Sequence, residues 1–240
     1  MRKTLSILGL AGLLAAGLTA APSADPGVAP DDALRMLSAG NERFARSLVL
    51  HPHADAERLR GLAHREQPFA AVVACADSRV APEVVFDQGL GDLYVVRNQG
   101  NIVKSEVELG SLEYAVGKLG VNLIVVLGHS KCSAVADAVR GVKKDDHSSL
   151  GALAADLKPA VDEARDKVGG LSGEDLLREA TEKNVMQQIK QVLKLSPLIA
   201  AKVAEGKVKV LGGIYQLENN RVQWLGEHPS EKAIIEGKKP

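Results

Sequence analysis

The chain has 240 residues, which is enough for one domain with a substantial buried core. Hydrophobic residues make up 45% of the chain and charged residues 25%, an ordinary balance for a globular protein. The formal net charge is +0 and no long block of like charge is present, which argues against binding to nucleic acid or to an acidic membrane surface by charge alone.

The N-terminal segment has the pattern of a secretory signal. Arg2 and Lys3 precede an apolar run from Leu5 to Ala21, and small residues follow it. The run is short for a membrane span, which needs about 20 apolar residues, so an uncleaved anchor is the weaker interpretation. We therefore predict a signal peptide over residues 1–21 and a single domain over residues 22–240. We also expect a periplasmic or secreted location, with no stable membrane span after signal cleavage.

The next elements are helices, followed by alternating strands and helices. Segments 30–47 and 54–66 have helical spacing and predict an N-terminal helical arm. The nearly continuous apolar runs 69–75, 92–98 and 121–130 are typical of strands buried on both faces of a parallel sheet. Helices are predicted over segments 105–120 and 130–141, the first with a capping box from Ser105 and Glu108 and the second with Ser130 as N-cap.

The C-terminal half predicts a helical region and then a hairpin. Residues 149–205 are typical of several helices, one of them capped by Ser172 and Asp175. Segment 207–226 predicts two strands that turn at Asn219 and Asn220. The predicted fold is therefore α/β: a mainly parallel β-sheet covered by helices, with an N-terminal helical arm and a C-terminal β-hairpin.

Three metal-binding residue types fall at the carboxyl ends of predicted strands. Cys75 ends one strand, His129 ends another, and Cys132 follows in the first turn of the next helix. Because ligands bind outside the carboxyl ends of strands in open α/β sheets, we expect these side chains to converge. Two thiolates and one imidazole make a Cys₂His site with a fourth position open, which is typical of a catalytic zinc. The helix N-terminus is expected to lower the pKa of Cys132.

A carboxylate and a guanidinium follow the first cysteine. Asp77 and Arg79 are two residues apart, so in an extended segment both project to the same side, near the open position. A carboxylate held by a guanidinium stays ionised and can accept a hydrogen bond from a nucleophilic hydroxide. Each of these short patterns is weak by itself. In an oxidising compartment, a Cys75–Cys132 disulfide is the competing interpretation.

Longer blocks of the sequence resemble the β-class carbonic anhydrases. "CADSRVAPEVVFDQGLGDLYVVRNQGN" is similar to the first signature block of that family, and "GSLEYAVGKLGVNLIVVLGHSKCSAV" is similar to the second. "KVKVLGGIYQLENNRVQWL" resembles its C-terminal hairpin and "GNERF" its N-terminal region. The resemblance covers about Pro30 to Gly226.

The resemblance implies reversible, zinc-dependent hydration of CO₂ to bicarbonate and a proton. It implies zinc binding by Cys75, His129 and Cys132. It also implies that Asp77 either accepts the hydrogen bond of the hydroxide, held by Arg79, or occupies the fourth zinc position in a closed site. Homodimers or higher homo-oligomers are implied as well. Residues that could line the substrate pocket are Tyr94, Tyr114 and Gln67, the last beside Glu66.

Two positions depart from the family pattern. Gln99 stands where a small residue is expected, and Ser133 stands where glycine is common. Three alternative functions remain at this stage: a hydrolase of carbon disulfide or carbonyl sulfide on the same fold, a non-catalytic zinc-stabilised protein, and a thiol redox protein. The last lacks a Cys-x-x-Cys arrangement.

Overall fold

The structure is a computed structural model that describes residues 27–141, 149–167, 170 and 173–238. The predicted signal peptide lies outside the described residues. The described helices are α1 (Pro30–Ala45), α2 (Ala56–Leu62), α3 (Pro82–Val85), α4 (Glu106–Gly117), α5 (Ser133–Arg140), α6 (Ser149–Lys167), α7 (Gly173–Leu195), α8 (Pro197–Ala204) and α9 (Glu231–Ile235). The strands are β1 (Ala70–Cys75), β2 (Leu93–Asn98), β3 (Leu123–His129), β4 (Lys209–Gln216) and β5 (Arg221–Gly226).

The strands form one sheet in the order β2-β1-β3-β4-β5. Strands β2, β1, β3 and β4 run parallel, and β5 pairs antiparallel with β4 as the predicted hairpin. The register places Cys75 beside Asn98 and His129 beside Tyr215. The predicted α/β fold with a mainly parallel sheet is confirmed.

Helices cover both faces of the sheet, which explains why β1 and β3 are apolar along their whole length. Every residue of these two strands is buried. On one face α1 and α3 contribute Leu37 and Val85 to the core, and on the other α4 and α7 contribute Leu112 and Ile189. A third apolar cluster under α5, α6 and α7 surrounds Cys75 and Cys132.

Two glycines of the sheet let helix α7 pack close to it. A β-carbon on Gly128 of β3 would lie 2.7 Å from Val185 Cγ2, and one on Gly212 of β4 would lie 2.8 Å from Val185 Cγ1. Real side chains do not tolerate such separations, so the two glycines create the space for Val185. This close approach brings the buried face of α7 to the carboxyl end of the sheet.

The helix boundaries confirm one predicted cap and correct another. Ser105 and Glu108 form the predicted capping box at the start of α4. Helix α5, however, begins at Ser133 with Cys132 as its N-cap, so the prediction of Ser130 as N-cap is wrong. Ser130 instead contacts the turn of the β4–β5 hairpin. The predicted cap Ser172 lies outside the described residues. Among the described helices, none combines the length and apolar character required to cross a membrane.

Candidate metal centre

The structure brings Cys75, His129 and Cys132 together. Cys75 is the last residue of β1, His129 is the last residue of β3, and Cys132 precedes α5. Their two sulfur atoms and one ring nitrogen all lie within 4.8 Å of one another, and all three residues are buried. Convergence follows from the parallel pairing of β1 with β3, which places both carboxyl ends at one edge of the sheet.

The hydrogen bonding of His129 prepares one ring nitrogen to bind a cation. Nδ1 lies 3.0 Å from the carbonyl oxygen of Ser130, and because a carbonyl only accepts, Nδ1 carries the proton. Nε2 is then the ring nitrogen that can offer a lone pair to a cation. Nε2 is buried and has no hydrogen-bond partner among the described residues. An unsatisfied buried acceptor is costly, so this atom fits a metal ligand better than an ordinary core histidine.

The closeness of the two thiols shifts their pKa values in opposite directions. The Cys132 thiol beside Cys75 lowers the pKa of Cys75, against burial, and so do the nearby His129 ring and the backbone N–H groups of Gly100 and Asp77, which donate to its sulfur. The same pairing and burial raise the pKa of Cys132. The helix N-terminus does lower the pKa of Cys132 as expected, but it does not decide the net shift of the metal-free pair. The N–H groups of Ala134 and Val135 act in that direction but are outweighed.

Both cysteines are free thiols in the structure, so the predicted alternative of a disulfide is not what the fold contains. Within the described part of the chain, no other cluster of at least three His, Cys, Asp or Glu side chains could hold a metal ion. The donor set of two sulfurs and one imidazole is the set that zinc prefers.

Asp77 and Arg79 form a fixed ion pair next to His129. Arg79 Nε donates to Asp77 Oδ1 at 2.9 Å and its Nη2 donates to Oδ2 at 2.7 Å, while the Arg79 backbone N–H also donates to Oδ1. This pairing holds the pKa of Asp77 well below its usual range. Oδ2 lies 3.8 Å from His129 Nε2. The carboxylate therefore stays ionised at the edge of the Cys₂His group.

An arginine that the sequence analysis missed supports this segment from the neighbouring strand. Arg97 Nε donates to the carbonyl oxygen of Cys75 at 3.1 Å, and its Nη2 donates to that of Asp77 at 2.9 Å. The sequence offered one signal for this role: Arg97 lies one residue before the end of β2, and the parallel register places it beside the end of β1. Arg97 holds the backbone that carries Cys75 and Asp77.

The loop between His129 and Cys132 is tied to the hairpin. Ser130 Oγ donates to Glu218 Oε2 at 2.9 Å and accepts from the backbone N–H of Leu217 at 2.9 Å. Lys131 pairs with Glu218 at 3.0 Å and adopts a left-handed backbone conformation with φ 53°. The left-handed residue delays the start of α5, which explains why Ser130 does not cap it.

The two positions that depart from the family pattern contact each other. Gln99 Nε2 donates to Ser133 Oγ at 3.1 Å. Gln99 opens the turn after β2, and Ser133 opens α5. These two side chains, larger than the residues expected from the family pattern, thus link the turn that contains Gly100 to the start of α5 next to Cys132.

Three predicted pocket residues do not reach this centre within one chain. Tyr94 pairs in register with Ala71, four residues before Cys75, which is about 13 Å along the strand. Its ring lies 6.5 Å from that of Tyr114, which is half exposed. Gln67 lies just before the amino end of β1, whereas Cys75 lies at the carboxyl end. Gln67 lines a surface cavity with Arg58 and Leu62. The structure therefore does not support a substrate pocket made by these residues of a single chain.

Comparison with known proteins gives a consistent result. The family described as "Carbonic anhydrase" matches residues 70–222. The chain is 38% identical over 196 residues to "Carbonic anhydrase 2" of Mycobacterium tuberculosis, which covers 82% of this chain and 93% of that protein.

Two solved structures show the same architecture. One is the Coccomyxa β-carbonic anhydrase in complex with acetazolamide, with a TM-score of 0.68 and 28% identity over 80% of this chain and 87% of the other. A tetrameric β-carbonic anhydrase of Sordaria macrospora has a TM-score of 0.64 and 26% identity over 82% of this chain and 98% of the other. Sequence, fold and the geometry of the centre agree, and the chain belongs to the β-class carbonic anhydrase family of enzymes.

Proposed function

We propose that this enzyme catalyses the zinc-dependent, reversible hydration of CO₂ to bicarbonate and a proton. The observation that carries the proposal is the buried, unpartnered Nε2 of His129, which faces two thiols beside an ionised carboxylate. A structural metal site needs no such carboxylate.

Cys75, His129 and Cys132 would hold the zinc, and Ser130 fixes the ring of His129 through Nδ1. Zinc bound by three protein ligands would supply Lewis acidity that ionises water near pH 7. The protein provides the thiolate charge, the orientation of the imidazole and a buried environment in which both act strongly.

Asp77 is proposed as the acceptor that orients the nucleophile, and Arg79 as the residue that orients Asp77. Because Arg79 engages both oxygens of Asp77, the carboxylate is directed by the protein and remains ionised. An ionised carboxylate accepts a hydrogen bond from the O–H of the nucleophile. This bond orients the nucleophile and leaves its lone pair free to attack. The alternative role of Asp77 as a fourth metal ligand would require Arg79 to release it.

Export and self-association belong to the same proposal. The N-terminal pattern supports a secreted or periplasmic enzyme, in which zinc would keep both thiols from oxidation. The tetrameric state named for the Sordaria macrospora relative supports assembly into a homodimer or a larger homo-oligomer.

The test is a zinc determination together with a CO₂ hydration assay on one preparation made without reducing agent. We expect about one zinc per chain and rapid hydration, with carbonyl sulfide and carbon disulfide turned over poorly. Zinc without hydration activity, but with turnover of either sulfur compound, would assign the alternative hydrolase function. Absence of zinc together with a Cys75–Cys132 disulfide would overturn the proposal.

A further inference from the structure

We propose that Asn184 and Gln188 of α7 are positioning residues that hold the Gly100 N–H on the sulfur of Cys75 and thereby strengthen zinc binding. The inference rests on the zinc site of the proposed function. It concerns two buried amide side chains whose hydrogen bonds go to segment 100–103 and to each other.

The first link is the contact between Gly100 and the candidate ligand. The Gly100 N–H donates to Cys75 Sγ across 3.3 Å. Gly100 lies in the 3-10 turn Gln99–Asn101 with φ 78°, a conformation that suits glycine, and Asn101 also has a positive φ of 46°. A turn with two consecutive left-handed residues needs outside support to keep one orientation.

Asn184 provides that support from α7. Its Nδ2 donates to the carbonyl oxygen of Gly100 at 3.0 Å. The N–H of Gly100 is thus directed at the sulfur while its carbonyl is held by the helix, so both peptide units that flank this α-carbon are fixed. The two residues are 84 positions apart in the chain.

Gln188 orients Asn184 and fixes the far end of the same segment. Its Nε2 donates to Asn184 Oδ1 at 2.8 Å, and its Oε1 accepts from the Val103 N–H at 2.8 Å. Asn184 is 1% exposed and Gln188 is 2% exposed, so these amides are removed from water and rely on each other. Segment 100–103 is therefore attached to α7 at both ends.

The position of α7 makes this attachment rigid. Val185, next to Asn184, sits over Gly128 and Gly212 with no space to shift toward the sheet. A hydrogen bond to a thiolate stabilises its charge, and partners outside the ligand shell typically change metal affinity by about 10- to 100-fold. Asn184 acts through Gly100, so we expect an effect at the lower end of that range.

The experiment compares Asn184→Leu, Gln188→Met and the control Thr181→Val in the full-length zinc enzyme. Thr181 is buried on the same helix, but its hydroxyl bonds only within α7, to the carbonyl of Leu177. Zinc affinity is measured by competition with a chelator. The thiolate-to-metal charge-transfer band is measured after replacement of zinc by cobalt(II), because it reports the electron density on sulfur.

We expect zinc affinity to fall about tenfold in Asn184→Leu, by a smaller factor in Gln188→Met, and not in Thr181→Val. The charge-transfer band should shift to lower energy in the same order, since a sulfur that loses a hydrogen bond gives up an electron more easily. A loss of thermal stability alone would move neither measurement.

Equal affinities and bands in all three variants and the wild type would overturn the inference while leaving the zinc site intact. A wild-type protein that binds no zinc would instead overturn the proposed function. If Asn184→Leu does not fold, the comparison of Gln188→Met with Thr181→Val decides the question, and equal values for those two would overturn the inference.

Discussion

Asp77 Oδ2 lies 3.8 Å from His129 Nε2, yet both oxygens of Asp77 are already hydrogen-bonded to Arg79. The carboxylate is thus close to the imidazole nitrogen without bonding to it. The arrangement places an ionised carboxylate beside a ring nitrogen that has no hydrogen-bond partner among the described residues. A structural metal site does not need a carboxylate held in this way.

Replacement of Asp77 by Asn should separate metal binding from catalysis. We expect zinc content to remain near that of the wild type, because the three proposed ligands are unchanged. CO₂ hydration should fall by at least about a hundredfold, because an amide can donate where the carboxylate only accepts. Stopped-flow hydration assays and zinc analysis give both values. The control is Asp137→Asn, which removes a carboxylate from an exposed pair with Arg140; unchanged activity in Asp77→Asn would contradict the assigned role.

Removal of zinc should lower the thermal stability of the protein. A ligand that binds only the folded state at a thousand times its dissociation constant contributes about 4 kcal/mol, which corresponds to a fall in Tm on the order of 10 °C for a chain of this size. Differential scanning calorimetry before and after treatment with a chelator checks this value, and zinc should restore it. His129→Ala serves as the control and should show no response; a chelator effect of the same size in that variant would place the metal elsewhere.

Asp87 should contribute stability that disappears in acid. Burial alone would raise the pKa of Asp87, but Arg43 and the N–H groups of Leu50 and His51 hold it below the usual value. A lowered folded-state pKa stabilises the protein above about pH 4 and ceases to do so as the pH falls through that pKa. Asp87→Asn should therefore reduce the free energy of unfolding by about 2 kcal/mol at pH 7 and by progressively less below pH 4.

Urea unfolding of metal-free Asp87→Asn and wild type between pH 3 and pH 7 measures that difference. The matched control is Glu42→Gln, whose partner is Arg221 in an exposed pair. Exposed pairs are screened by water, so its effect should be much smaller. A difference between Asp87→Asn and wild type that grows as the pH falls would contradict the stabilising role of the ionised Asp87 carboxylate.

Gly128→Ala should destabilise the fold by forcing α7 away from the sheet. The new methyl group would lie 2.7 Å from Val185 Cγ2, and such overpacking costs about 1–3 kcal/mol. In a Val185→Ala background the same change should cost less, because the opposing methyl groups are gone. Chemical unfolding of the two single variants and the double variant measures the coupling. Strictly additive costs would mean that the contact does not limit the approach of the helix.

The sequence by itself determined the layout of the protein and the types of its candidate ligands. Continuous apolar runs predict buried parallel strands, and parallel strands place Cys75 and His129 at one edge because their carboxyl ends point the same way. The pairing of Asp77 with Arg79 is also predicted, but its expected geometry is wrong: the segment is a turn and not extended, because the Val80 N–H donates to the Asp77 carbonyl oxygen and the Arg79 N–H donates to Asp77 Oδ1. These inferences depend on local periodicity and chain direction, which can be read from residue order.

Only the tertiary structure decided how the centre is held. Ser130 is a reasonable helix cap by sequence, but the hairpin supplies Glu218 and the Leu217 N–H, 88 and 87 positions away, as competing partners. The bonds that join Gly100 to Asn184 and Gln99 to Ser133 likewise cross between elements. Tyr94 and Gln67, by contrast, were expected near the site but lie elsewhere, because strand register and direction keep both away from Cys75 within one chain. Hydrogen bonds between segments that are distant in the chain depend on how the helices pack onto the sheet. No local sequence pattern specifies which distant residues become partners.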